Sequence, residues 1–214
     1  MEKERDTYKT IVKPSSEVLF KDRGSKFFGY AFPATNEDEI KEHLEALKKT
    51  HHTARHFCYA WQLGKSYDSY RANDDGEPSN SAGMPIYGQL QSFDVTNILV
   101  VVVRYFGGTK LGVGGLIQAY KATAQIALES SKIVQRTIDE ELILKFEYPE
   151  MNTVMRIIKD ESLNITSQTM ELNCEIILSV RKKDADRIFK IFNTTYKVNV
   201  KREADDEERA QNQE

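Results

Sequence analysis

Apolar residues change their spacing several times along this chain, and each change marks an element. Glu17–Phe20 and Lys26–Ala34 flank Asp22-Arg23-Gly24-Ser25, which predicts two short strands joined by a turn. From Asn36 to Lys49 the period becomes helical, with Ile40, Leu44 and Leu47 on one stripe. Asn36 followed by Glu39 is a capping-box signature, and Lys48 and Lys49 suit the negative end of the helix dipole. His56–Gln62 predicts an aromatic-rich strand. Ser66–Gly83 is polar and rich in Gly, Pro, Asn and Asp, which predicts a long loop.

Met84–Phe93 predicts a short helix with Pro85 in its first turn. Asn97–Tyr105 is apolar without alternation at its centre, so it predicts a strand buried on both faces. The following helix, Ile117–Ser131, continues a stripe of Leu116, Tyr120, Ala124 and Leu128 at spacing four. Beyond Thr137 the order is strand (Ile138–Tyr148), helix (Glu150–Lys159), strands (Asn164–Met170, Asn173–Val180), helix (Asp184–Thr194) and strand (Tyr196–Val200). That βαββαβ order predicts a ferredoxin-like unit. The expected organisation is therefore an α+β chain with domains at 1–135 and 136–202, then a disordered acidic tail at 203–214.

Composition narrows the class. Hydrophobic residues at 40% and charged residues at 29% fit a globular protein, and no window approaches a membrane span. The charged N-terminus does not resemble a secretory signal, and Cys58 and Cys174 make no disulfide framework, so a cytoplasmic setting with reduced thiols is expected. The tail from Glu203 holds six acidic residues and one arginine, so the net charge of −3 leaves +2 on residues 1–202. That is no strong nucleic-acid footprint, although a local basic patch is compatible with it.

The chemistry concentrates where strand turns into helix. In Arg104-Tyr105-Phe106-Gly107-Gly108-Thr109-Lys110-Leu111-Gly112-Val113-Gly114-Gly115, five glycines lie within nine residues, with Arg104 and Lys110 as the charges. One reading is a phosphate-bearing ligand on the glycine backbone at a helix start, held by Arg104, Tyr105, Gly107, Gly108, Lys110, Gly112 and Gly114. The other is a sharp turn with close helix-to-sheet packing. Both stand at this level. The P-loop and dinucleotide fingerprints are absent, since no Gly-Lys-Ser/Thr closes the segment and Gly112-x-Gly114 lacks the third glycine.

Asp74, Asp75 and Glu77 put three carboxylates within four residues. They suit a hard cation or acid–base work, but lack the calcium-loop spacing. They also suit Arg104, which leaves a buried strand and needs a counter-charge. His56 and Cys58 share a strand face, as a nucleophile and base would, but nothing marks an oxyanion site, so a packed strand is the stronger reading. No cysteine or carboxylate joins His51, His52 and His56 at metal-ligand spacing, so no metal and no cofactor is expected. Lys26, Phe27, Phe28, Tyr30, Arg55, Tyr59, Trp61 and Tyr105 mix aromatic and basic character, suited either to base stacking or to a core.

Three blocks together resemble the IMPACT/YigZ family: Arg55-His56 with Cys58 and Ala60; Asp74-Asp75-Gly76-Glu77-Pro78 before Ala82-Gly83-x-Pro85; and Arg104-Tyr105-Phe106-Gly107-Gly108 before Leu111-Gly112. The chain departs from the family's usual Gly-Thr pair at Ser79-Asn80-Ser81. The resemblance implies an N-terminal domain like the second domain of small-subunit ribosomal protein five, and a C-terminal ferredoxin-like domain. It implies a non-enzymatic regulator of translation or stress response, with RNA, the ribosome or a protein of translation control as partner. A nucleotide- or phosphate-binding enzyme and a pure protein-interaction module are the alternatives.

Overall fold

The computed structural model describes residues 5–202, and the acidic tail lies outside them. The described chain is mixed α+β and divides into two compact units, 7–136 and 5–6 with 137–202.

The first unit is built on a five-stranded antiparallel sheet in the order β2 (Val18–Asp22), β3 (Ser25–Pro33), β6 (Ile98–Tyr105), β4 (His56–Leu63), β5 (Ser69–Asn73). The central β6 is buried almost throughout, as its unbroken apolar run predicts. Its side chains alternate between two cores. Ile98, Val100 and Val102 pack under α2 (Gly83–Phe93) and α3 (Gly112–Glu129), with Ile86, Leu90, Tyr120 and Leu128. Leu99, Val101 and Val103 pack under α1 (Glu37–Thr50), with Ile40 and Leu47. The predicted cap of α1 forms: Asn36 Oδ1 accepts from the Asp38 and Glu39 amides, while Glu39 reaches back to the Thr35 amide.

Three strands depart from expectation. The polar stretch Ser66–Gly83 contains the edge strand β5, whose exposed and half-exposed residues give no apolar signal. At the unit's ends, β1 (Thr7–Ile11) pairs with β7 (Ile133–Thr137), a contact between segments too far apart in sequence for local patterning to reveal. The helix after the glycines also begins earlier, at Gly112, so three glycines fall in its first turn.

The second unit has four antiparallel strands in the order β11 (Val198–Arg202), β8 (Asp139–Glu147), β10 (Asn173–Arg181), β9 (Asn164–Thr169). Helices α4 (Met151–Asp160) and α5 (Lys182–Asn193) give Val154, Ile158, Ile188 and Phe192 to a core against Leu142, Leu144, Ile176 and Leu178.

Candidate functional site

Arg104 is the last buried residue of β6, and strand parity turns it toward α3. Only 6% of the side chain is exposed. An unpaired guanidinium there is costly, so the surrounding residues must compensate it. Glu77, equally buried, supplies the counter-charge: its Oε1 accepts from Arg104 Nη1 at 2.6 Å and from the Tyr120 hydroxyl at 2.8 Å. Ser25 Oγ accepts from Arg104 Nη2 at 3.4 Å and from the Gly107 amide at 3.2 Å. The guanidinium carbon lies 5.4 Å from the Phe27 ring centroid and 5.6 Å from that of Phe106. Arg104 Nε is buried and has no hydrogen-bond partner.

The acidic loop is consumed by the protein itself. Asp74 Oδ1 accepts from the Ala82 and Gly83 amides at the start of α2, and its Oδ2 from the Asn80 amide. Asp75 Oδ2 accepts from the Phe57 amide at 2.6 Å, tying the loop to β4. With Glu77 on Arg104, each carboxylate has a structural partner. Among the described residues, no group of three or more His, Cys, Asp or Glu side chains comes together as a metal site.

The glycine segment divides into two parts. A Cβ on Gly107 would lie 1.9 Å from the carbonyl carbon of Gly24, so two backbones cross where no side chain fits. Around Gly108, Gly112 and Gly114 the space is open; Gly112 enters α3 at a φ of +71°. No side chain caps the first turn of α3. A cavity of about 340 Å³ opens there, bringing together Arg104, Glu77, Lys110 and Gly112 with apolar walls from Pro78, Phe106, Val113 and Leu116. Gly107, Gly108 and Gly114 do not line it. Tyr105 points to the opposite face of the sheet, where its hydroxyl meets His51 Nδ1 at 3.0 Å.

These residues lie within one family match. The model of the Impact N-terminal domain fits residues 23–128. An IMPACT family member of Haemophilus influenzae is 34% identical over 79% of this chain and 84% of its own length. The chain belongs to the IMPACT family. YvyE, a family member of Bacillus subtilis, is 30% identical over 82% of this chain and 81% of its own length. A crystal structure described as that of a hypothetical protein superposes with a TM-score of 0.68 at 26% identity, covering 92% of this chain and 97% of that one.

Within this IMPACT domain, the structure adds residues that the sequence did not single out as site residues. Phe106, Pro78 and Val113 shape the cavity; a phenylalanine directly before two glycines was the available signal for Phe106. Ser25 and Tyr120 complete the Arg104 cluster, and only three-dimensional proximity reveals them. On the α1 face, the Tyr30 hydroxyl donates to Glu17 and so accepts from His51 Nε2 at 2.6 Å, which leaves His51 Nδ1 to accept from Tyr105. Burial holds the His51 imidazole below its ordinary pKa.

Cys58 and His56 do not form a nucleophile–base pair. Cys58 Sγ donates to the Asp74 carbonyl at 2.9 Å, and His56 Nδ1 lies 2.9 Å from the Asp75 carbonyl, which it meets as a donor. Burial pushes the Cys58 thiol well above its ordinary pKa, which suppresses the thiolate.

Proposed function

We propose that this chain is a non-enzymatic regulator of translation or stress response that binds RNA or the ribosome through the cavity at the start of α3. One observation carries the reading: exposed Lys110, the uncapped first turn of an eighteen-residue helix and the buried cation Arg104 all border a single cavity. A helix N-terminus carries partial positive charge and free amides, and it favours phosphate when cations stand beside it. Membership in the IMPACT family, whose eukaryotic member regulates translation, supports the setting. A cytoplasmic location belongs to this proposal; among the described residues no helix is long and apolar enough to cross a membrane.

The fold assignments belong to the same reading. A unit resembling the second domain of small-subunit ribosomal protein five, followed by a ferredoxin-like unit, would join two folds met at RNA. The strand order of the second sheet, fourth-first-third-second within its βαββαβ unit, supports the latter.

The test is RNA binding measured against salt for wild type and Lys110→Glu. Affinity should fall steeply with salt, and the reversal of charge should weaken it about tenfold. Absence of binding, or indifference to Lys110→Glu, defeats the proposal. A second reading, a protein-interaction module, is favoured by the commitment of all three acidic side chains and Arg104 Nη1 to intramolecular bonds. It expects no RNA binding at all.

A further inference from the structure

Phe106 directly follows a buried strand, yet 58% of it is exposed. It borders two hollows. One is the cavity at the start of α3, with Lys110. The other, about 320 Å³, is lined by Thr53, Arg55, His56, Arg104, Tyr105 and Phe106 itself. Arg55 and Lys110 are both exposed, and among the described residues neither has a carboxylate partner. His56 gives its Nδ1 hydrogen to the Asp75 carbonyl, which leaves Nε2 as an acceptor for a ligand hydroxyl. Buried Arg104 lines both hollows and sits 5.6 Å from the ring centroid of Phe106, held in place by Glu77.

An exposed aromatic ring shared by two basic hollows selects for a particular chemistry. It asks for a flat ring to stack and for more than one negative charge around that ring. A mononucleotide carries its charge on one side only. A duplex carries phosphates throughout but covers its base faces. An unpaired strand presents both a free base and flanking phosphates.

We infer that Phe106 is a stacking platform for one unpaired base of single-stranded RNA, whose flanking phosphates contact Arg55 and Lys110 while His56 Nε2 accepts from a ribose hydroxyl. The inference rests on the RNA-binding reading above and narrows it to unpaired RNA. Arg104 is a positioning residue that backs the ring. The two hollows explain why basic residues from two separate blocks, Arg55-His56 and Arg104 to Gly112, meet at this one aromatic side chain.

The experiment compares a labelled 12-nucleotide unstructured RNA with a hairpin of matched composition, by fluorescence anisotropy on the full chain. Wild type should bind the strand at least tenfold more tightly than the hairpin. Phe106→Ala should weaken strand binding about 5- to 100-fold. Phe106→Trp should restore it. Arg55→Gln and Lys110→Gln should each lower the slope of log affinity against log salt by about 0.7, a change Phe106→Ala should not make. Because Phe106 is largely exposed, its alanine variant should melt like wild type, which separates lost stacking from lost folding. Equal affinity for strand and hairpin overturns the inference, as does a harmless Phe106→Ala, or AMP competing as well as the unlabelled strand. If Lys110→Glu still weakens binding in those cases, RNA binding stands and only the single-strand assignment falls. If wild type binds neither RNA, both fall.

Discussion

Removing Arg104 while leaving Glu77 in place should be among the most damaging single changes in the first unit. Arg104→Met keeps most of the side-chain volume but leaves the Glu77 carboxylate 5% exposed, with only the Tyr120 hydroxyl donating to it. Stripping one partner from a buried ion pair costs about 3–5 kcal/mol, because the remaining charge stays desolvated. Glu77→Gln is the mirror case: the amide oxygen still accepts, but the guanidinium loses its counter-charge. In Arg104→Met/Glu77→Gln no buried charge remains, so the combined loss should shrink to about 1–2 kcal/mol. The cycle then shows a coupling of several kcal/mol, far beyond the roughly 0.3–0.5 kcal/mol scatter of independent sites. Trp61 is the chain's only tryptophan; it is 5% exposed and lies in this unit, so its fluorescence in urea reports the transition. For a unit of this size each kcal/mol moves the melting temperature by roughly 3–5 °C. A double variant as unstable as the sum of the singles would show that the two charges do not compensate each other, and the account of the cluster would be wrong.

Other outcomes follow from the same contacts. Gly107→Ala should cost about 1–3 kcal/mol, because its Cβ would drive into the Gly24 backbone, whereas Gly114→Ala, inside a helix with nothing within 4 Å, should gain up to about 1 kcal/mol; opposite signs in urea midpoints check the pair. His51 is held neutral by burial, so folding lowers its pKa. Its contribution is therefore present above the ordinary histidine value of about 6.5 and lost as pH falls below it, and His51→Gln should flatten the decline in stability between pH 7.5 and 5.5. In a Cys174→Ser background, Cys58 should resist a thiol reagent at pH 8 until urea unfolds the protein; fast native labelling would contradict its raised pKa and zero exposure.

The apolar pattern disclosed most of the scaffold because burial imposes it locally. β6, the cap at Asn36 and the alternation of strand and helix after Thr137 are written in nearest neighbours. β5 was hidden because an edge strand with exposed side chains has no apolar face to show. The β1–β7 pair was hidden because its partners stand more than a hundred residues apart. At the site, a counter-charge for Arg104 followed from the cost of burying it alone. Sequence offered three acids and did not select Glu77; geometry did, since Asp74 and Asp75 are taken up by backbone amides of α2 and β4. Tyr105 was grouped with Arg104 by adjacency, and strand parity separates them.

That parity has an evolutionary corollary. Along β6, even-numbered positions serve the α2–α3 layer and odd-numbered ones the α1 layer, ending in Arg104 for the first and Tyr105 for the second. Substitutions can drift position by position, but one inserted or deleted residue between Ile98 and Val103 would exchange the layers wholesale. It would send a cation toward His51 and a phenol toward Glu77. The strand is therefore a molecular ruler: its length should be held more tightly over descent than the identity of any apolar residue within it.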